Sequence, residues 1–185
     1  MALTESKMMA LGTKAPEFTL IDTVSDEQFT LYNGEDYDGT LIMFICNHCP
    51  FVIHVNDELV RMAHEFDQKN IRVIAISSND VINYPQDGPE KMKEQAARLG
   101  YPFPYLYDET QEVAHAYDAA CTPDFYLFDK DMKLYYRGRI DESRPGNGKP
   151  VDGRDIRKAV YNMLAGAEAP EAQYPSAGCN IKWKQ

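Results

Sequence analysis

The sequence predicts an α/β sandwich of three layers, built on a mixed sheet with parallel central strands and a β-hairpin extension on its N-terminal side. Three observations predict it. Leu41-Ile42-Met43-Phe44-Ile45 and Ile71-Arg72-Val73-Ile74-Ala75-Ile76 are nearly unbroken apolar runs, the pattern of strands buried on both faces. Between them Val52, Val55, Leu59, Met62, Ala63 and Phe66 recur at close to helical spacing, so a helix connects the two strands. The order of elements along the chain, β-β-β-α-β-α-α-β-β-α, then puts helices on both faces of the sheet.

Residues 1–15 read as a loosely held lead-in that ends at Pro16. Glu17–Asp22 and Gln28–Tyr32 alternate polar and apolar side chains, which predicts a short antiparallel hairpin. Asn33-Gly34 and Asp38-Gly39 mark turns before the first buried strand, 41–46. Pro50 suits the first position of the helix that runs from Phe51 to Lys69, since no N–H is needed there. A second helix spans Pro89–Leu99 and is closed by Gly100. Tyr101–Tyr105 is expected to be a packed turn leading into an edge strand, followed by a short helix from Thr110 to Tyr117. Strands Asp124–Asp129 and Lys133–Arg139 flank a tight turn. A Pro/Gly-rich loop, Arg144–Gly153, leads to a last helix, Gly153–Leu164, and a tail over 165–185. One domain is expected over 1–185.

That length suffices to bury roughly 70% of the unfolded surface. A net charge of −10 argues against nucleic acid or an anionic membrane surface as a partner, because both repel an acidic chain. Four cysteines are too few for a disulfide-stapled scaffold. The N-terminal residues lack a signal-peptide pattern, and no run approaches the ~18 apolar residues of a membrane span. A cytoplasmic location is therefore expected, where a close thiol pair is catalytic, redox-sensing or metal-binding rather than a static staple.

Such a pair is present in Cys46-Asn47-His48-Cys49-Pro50, where the first apolar strand gives way to a helix. Cys49 directly precedes Pro50 and so occupies the helix N-cap, where unpaired N–H groups and the helix dipole favour S⁻ over SH. That setting can lower a cysteine pKa from ~8.5 into the ~3.5–7.5 range. Cys49 is thus the expected nucleophile, Cys46 the expected resolving thiol, and His48 an adjacent cation or proton shuttle. Cys121 and Cys179 are further candidates; Cys179 lies in the Gly-containing tail and offers a third redox thiol. Four cysteines permit three pairings, and the sequence does not choose among them.

Gly12-Thr13-Lys14-Ala15-Pro16-Glu17-Phe18-Thr19-Leu20 resembles the opening of the alkyl hydroperoxide reductase/thiol-specific antioxidant (redoxin) branch of the thioredoxin superfamily. Cys46–Val52, Cys121-Thr122-Pro123-Asp124-Phe125 and Gly178-Cys179-Asn180-Ile181-Lys182-Trp183 resemble a thiol–disulfide isomerase subgroup of that branch. The resemblance implies a thioredoxin-like fold. It also implies a cis Pro123 facing the thiols, with the backbone of Thr122 open to an extended substrate chain. Two departures stand out. The peroxidatic cysteine of a peroxiredoxin would fall near Ile53, with no threonine at the required distance before it. Laid without gaps, thioredoxin spacing puts the attacking thiol at Cys49 and the usual resolving position at Val52; the alternative register has Cys46 attacking and Cys49 resolving.

The leading function is a thiol–disulfide oxidoreductase that cycles Cys46 and Cys49 between dithiol and disulfide without a cofactor. Its expected partners are a protein or small-molecule disulfide and a thiol reductant. One alternative is a peroxiredoxin-like thiol peroxidase with sulfenic acid formed on Cys49. The other is a Zn²⁺ or Cu(I) site built from Cys46, Cys49, Cys121 and His48.

Overall fold

The computed structural model describes residues 3–32 and 36–185. Its main sheet contains β2 (Phe18–Asp22), β3 (Gln28–Leu31), β4 (Gly39–Phe44), β5 (Ile71–Ser77), β6 (Tyr105–Tyr107), β8 (Asp124–Asp129) and β9 (Leu134–Gly138), in the order β3-β2-β6-β5-β4-β8-β9. Strands β4, β5 and β6 run parallel at the centre, and β8 and β9 continue antiparallel on one side. On the other side β2 and β3 form the expected antiparallel hairpin. The expected mixed α/β sandwich is the architecture observed.

The alternation along β4 explains its unbroken apolar run. Leu41 and Met43 face one core with Val55, Leu59, Met62 and Phe66 of α1 (Pro50–Asp67). That core also takes Met92 and Ala96 of α2 (Pro89–Leu99) and Ile156 and Val160 of α4 (Arg154–Leu164). Ile42 and Phe44 face a second core with Val113 and Ala114 of α3 (Glu112–Ala116) and the ring of Tyr117. A strand covered on both faces has no solvent side on which a polar residue is favoured. Gly100 closes α2 in the left-handed region at φ 68°, as its position predicts. No helix among the described residues is long and apolar enough to cross a membrane.

Three expectations need correction or qualification. Strand β6 lies between β2 and β5 and is not an edge, because the N-terminal hairpin pairs onto it and covers that side. The lead-in is not loose throughout: Leu3–Glu5 forms β1, paired with β10 (Ala177–Asn180) in the tail. Both strands are short and owe their existence to contacts with distant chain, which local pattern does not reveal. The turn expected at Asn33-Gly34 lies outside the described residues.

A second, small sheet has the order β1-β10-β7, where β7 is the two-residue strand Cys121–Thr122. It brings the tail across the end of the main sheet, over the start of α1.

Candidate active site

Strand β4 ends at Phe44, and Ile45 still donates its N–H to the Ile76 carbonyl at 2.9 Å, so Cys46 leaves the sheet at a fixed point. Asn47 and His48 then turn the chain into α1, where Cys49 is the N-cap and Pro50 opens the helix. A single buried carboxylate shapes this turn. Asp87, fully inaccessible to solvent, accepts the backbone N–H of Asn47 at 2.8 Å and of His48 at 3.3 Å on Oδ1. Its Oδ2 takes Nδ2 of Asn79 at 2.9 Å and lies 2.5 Å from Nδ1 of His48. The His48 ring is also stacked on Tyr84. His48 is therefore fixed by the carboxylate of Asp87 and the ring of Tyr84, both from a distant turn.

Cys49 is bonded to Cys179 of β10, with a Cα–Cα distance of 6.2 Å across 130 residues of chain. This differs from the expected Cys46/Cys49 pairing. The reason is the tail: β10 runs antiparallel to β7 with Cys179 opposite Thr122, and the sulfur of Cys49 lies 3.4 Å from the Thr122 carbonyl oxygen. Cys46 remains a buried free thiol. Its Sγ lies 3.6 Å from Oγ1 of Thr122, and burial, reinforced by the Asp87 charge, pushes its pKa up to about 11. Cys46 is a neutral thiol at physiological pH.

Cys121 is also free and buried, its Sγ 3.8 Å from the Pro123 carbonyl and 4.0 Å from that of Ser176. Burial, with the nearby Asp124 second, drives its pKa far above the ordinary thiol value. The Thr122–Pro123 bond is cis, in agreement with the expectation from the resemblance.

The four-residue metal set Cys46, Cys49, Cys121 and His48 is not available in this arrangement, since the Cys49 sulfur is bonded to Cys179. Cys46, His48 and Asp87 do offer ligand atoms within 4.8 Å of one another. The two oxygens of Asp87 are already taken by the loop's hydrogen bonds, so these residues act as a scaffold for the turn. Asp87→Asn keeps the shape but loses the charge that accepts these bonds. It is expected to cost about 1.5–3 kcal/mol in chemical denaturation, the range for hydrogen bonds to a charged group; an unchanged midpoint would remove Asp87 from this role.

Sequence reading missed Asp87, whose Asp-Gly-Pro setting looks like an ordinary turn before a helix. It also missed Gly178, which permits the close approach of β10 to β7. A Cβ there would collide with the Thr122 carbonyl and lie 3.3 Å from Cδ of Pro123.

Fold and site together define a thioredoxin-like protein with a redox-capable disulfide at the start of its first long helix. The chain belongs to the AhpC/TSA family, whose model matches residues 11–137. It is similar over its whole length to the crystal structure of an uncharacterized conserved protein from Geobacillus kaustophilus, with 56% identity, 97% of that chain covered and a TM-score of 0.96. It is 27% identical over 135 residues to the thiol-disulfide oxidoreductase ResA of Geobacillus thermodenitrificans, covering 71% of this chain and 70% of that protein. The thioredoxin domain of a Bacteroides vulgatus thiol-disulfide oxidoreductase shares the fold at 18% identity, with a TM-score of 0.61 over 82% of this chain and 98% of that one.

Proposed function

We propose that Cys49 and Cys179 are the working couple of this thiol–disulfide oxidoreductase, with Cys49 as the nucleophile. The observation that carries the reading is the Cys49–Cys179 bond, one sulfur of which belongs to the N-cap of an 18-residue helix. In the reduced protein the Cys49 thiolate is favoured by the positive helix end. It attacks one sulfur of a substrate disulfide, and the other substrate sulfur leaves as a thiolate. Cys179 then attacks the Cys49 sulfur, restoring the internal bond and releasing the second substrate thiol. An external dithiol supplies the two electrons that reopen the bond.

Cys46 keeps a different part in this scheme. Neutral and set against Thr122, it packs the turn and neither attacks nor resolves. His48, held by Asp87 and Tyr84, orients the approach to Cys49. Thr122 and Pro123 border the cysteine pair and form the edge along which an extended disulfide substrate pairs.

Alkylation of the unreduced, denatured chain tests the pairing. Iodoacetamide should modify Cys46 and Cys121 and leave Cys49 and Cys179 in one linked peptide pair by mass spectrometry. A Cys46–Cys49 link would overturn the assignment. After reduction and refolding, Cys49 is expected to alkylate first near neutral pH. In insulin-disulfide reduction, Cys49→Ser and Cys179→Ser should each lower turnover about 100-fold or more, and Cys46→Ser no more than about threefold. Rapid consumption of H₂O₂ with no insulin reduction would favour the peroxidase alternative instead.

A further inference from the structure

The edge beside Pro123 is occupied by the chain itself. Residues 176–181 lie along it as an extended strip, antiparallel to β7, with Cys179 opposite Thr122 and Asn180 opposite Cys121. Both ends of the strip are fastened. Oγ of Ser176 donates to the Pro123 carbonyl at 2.5 Å, and Ile181 N–H donates to the Ala120 carbonyl at 3.0 Å. On its outer side the strip pairs with β1, Thr4 opposite Gly178. Cys49 and Cys179 are 0% and 2% exposed, so with the strip in place both sulfurs are covered, and a reductant or a substrate meets them only when the strip opens locally.

This arrangement has the parts of an enzyme–substrate mixed disulfide: an extended segment, backbone pairing at the edge beside Pro123, and a cysteine bonded to the N-cap sulfur. The residue before that cysteine meets a strict limit. At Gly178 an added Cβ would collide with the Thr122 carbonyl oxygen, a backbone atom that cannot swing aside as a flexible side chain does.

We propose that residues 176–181 are an internal ligand of the substrate edge, and that external substrates are extended segments in which glycine directly precedes the disulfide-bonded cysteine. The inference rests on Cys49 and Cys179 being the working couple. A dithiol reduces the Cys49–Cys179 bond, leaving as a cyclic disulfide while both protein sulfurs become thiols. The strip is then held by hydrogen bonds alone and yields the edge to a substrate segment. Cys49 attacks that segment's cysteine sulfur and expels the other half of the substrate disulfide as a thiolate. Returning, Cys179 displaces the segment from the edge and from the Cys49 sulfur in one event, so product release and resolution are the same movement.

The test uses blocked peptides Ala-Xaa-Cys-Asn, each carrying a coloured nitrothiobenzoate on its cysteine, with glycine, alanine or valine as Xaa. Prereduced wild-type protein is mixed with each, and the initial release of nitrothiobenzoate is followed by stopped flow. The glycine peptide should react about 10-fold or more faster than the other two, the discrimination expected when one methyl group has no room. Rates within about twofold of one another, with release from all three, would overturn the inference while leaving Cys49 as the nucleophile. Absence of release from every peptide would overturn the underlying reading and the inference with it.

A second measurement avoids peptides. Gly178→Ala should crowd the strip and shift the Cys49–Cys179 couple so that a lower ratio of reduced to oxidised dithiothreitol opens it, by about 10-fold. An unchanged ratio would mean that the strip does not press on the edge as an internal ligand.

Discussion

Reducing the Cys49–Cys179 bond, or replacing Cys179 by serine, is expected to lower the stability of the chain by about 3–5 kcal/mol. The magnitude follows from the 130 residues that the bond spans, since a cross-link closing a long loop removes much of the freedom of the unfolded chain. For a protein of this size that corresponds to a fall of roughly 10 °C in Tm. The effect should be uneven. The main sheet keeps its two cores, whereas β10 is left with its backbone pairing to β7 and β1 and with end contacts such as Lys182 N–H to Oδ1 of Asn79 at 2.9 Å. Amide exchange at residues 177–180 should therefore accelerate far more than exchange in β4 or β5. Denaturation of oxidised and reduced protein side by side reads the total effect, and hydrogen exchange reads its distribution. Equal Tm values for the two forms would show that the bond does not constrain the chain.

The sequence made the main sheet legible because its signals are local. The apolar run 41–45, the helical period from Val52 to Phe66 and Gly100 after α2 each follow from residues that touch in sequence. Asp124–Asp129 is found with its expected ends. The site was legible in its parts: Cys49 at the helix N-cap, His48 beside it, and the cis bond before Pro123. Its connections were not. Whether Cys49 meets Cys46 or Cys179 depends on where a tail of four strand residues is laid, and β10 is built by pairing with β1 and β7 rather than by its own pattern. Ala-Gly-Cys-Asn has little strand propensity, with glycine and asparagine both disfavoured. The glycine that weakens the local signal is the residue that permits the close approach to Thr122. Asp87 escaped notice for a related reason: it acts through two backbone amides 40 and 39 residues upstream.

Asp124 leads to the second large effect. It follows Pro123, is fully buried, and holds Oγ of Ser6 at 2.7 Å and the hydroxyl of Tyr126 at 3.1 Å. Burial outweighs these hydrogen bonds and pushes its pKa from 3.8 up to about 7. The folded carboxyl thus binds its proton more tightly than the unfolded one does. Below the unfolded value both states are protonated and the folded protein carries no penalty. As pH rises from about 4 the unfolded state loses its proton first, so stability falls until the folded group also ionises near pH 7. The difference amounts to at most about 4 kcal/mol. Asp124→Asn, which cannot ionise, should therefore gain on the wild type across that window and hold a constant advantage above it. Melting curves from pH 4 to pH 8 for the two proteins read this directly, and curves that stay parallel throughout would show that the buried carboxyl is not the source. The position also ties the window to the redox state. Ser6 donates to Asp124 and accepts the N–H of Ser176 at 2.9 Å, so the carboxyl is roofed by the same segments that the Cys49–Cys179 bond holds down. Once that bond is reduced and β10 loosens, water gains access to Asp124 and its pKa should fall back toward the ordinary carboxylate range. The reduced wild type is accordingly expected to lose less stability between pH 4 and pH 7 than the oxidised form, and Asp124→Asn should abolish that difference between the two redox states.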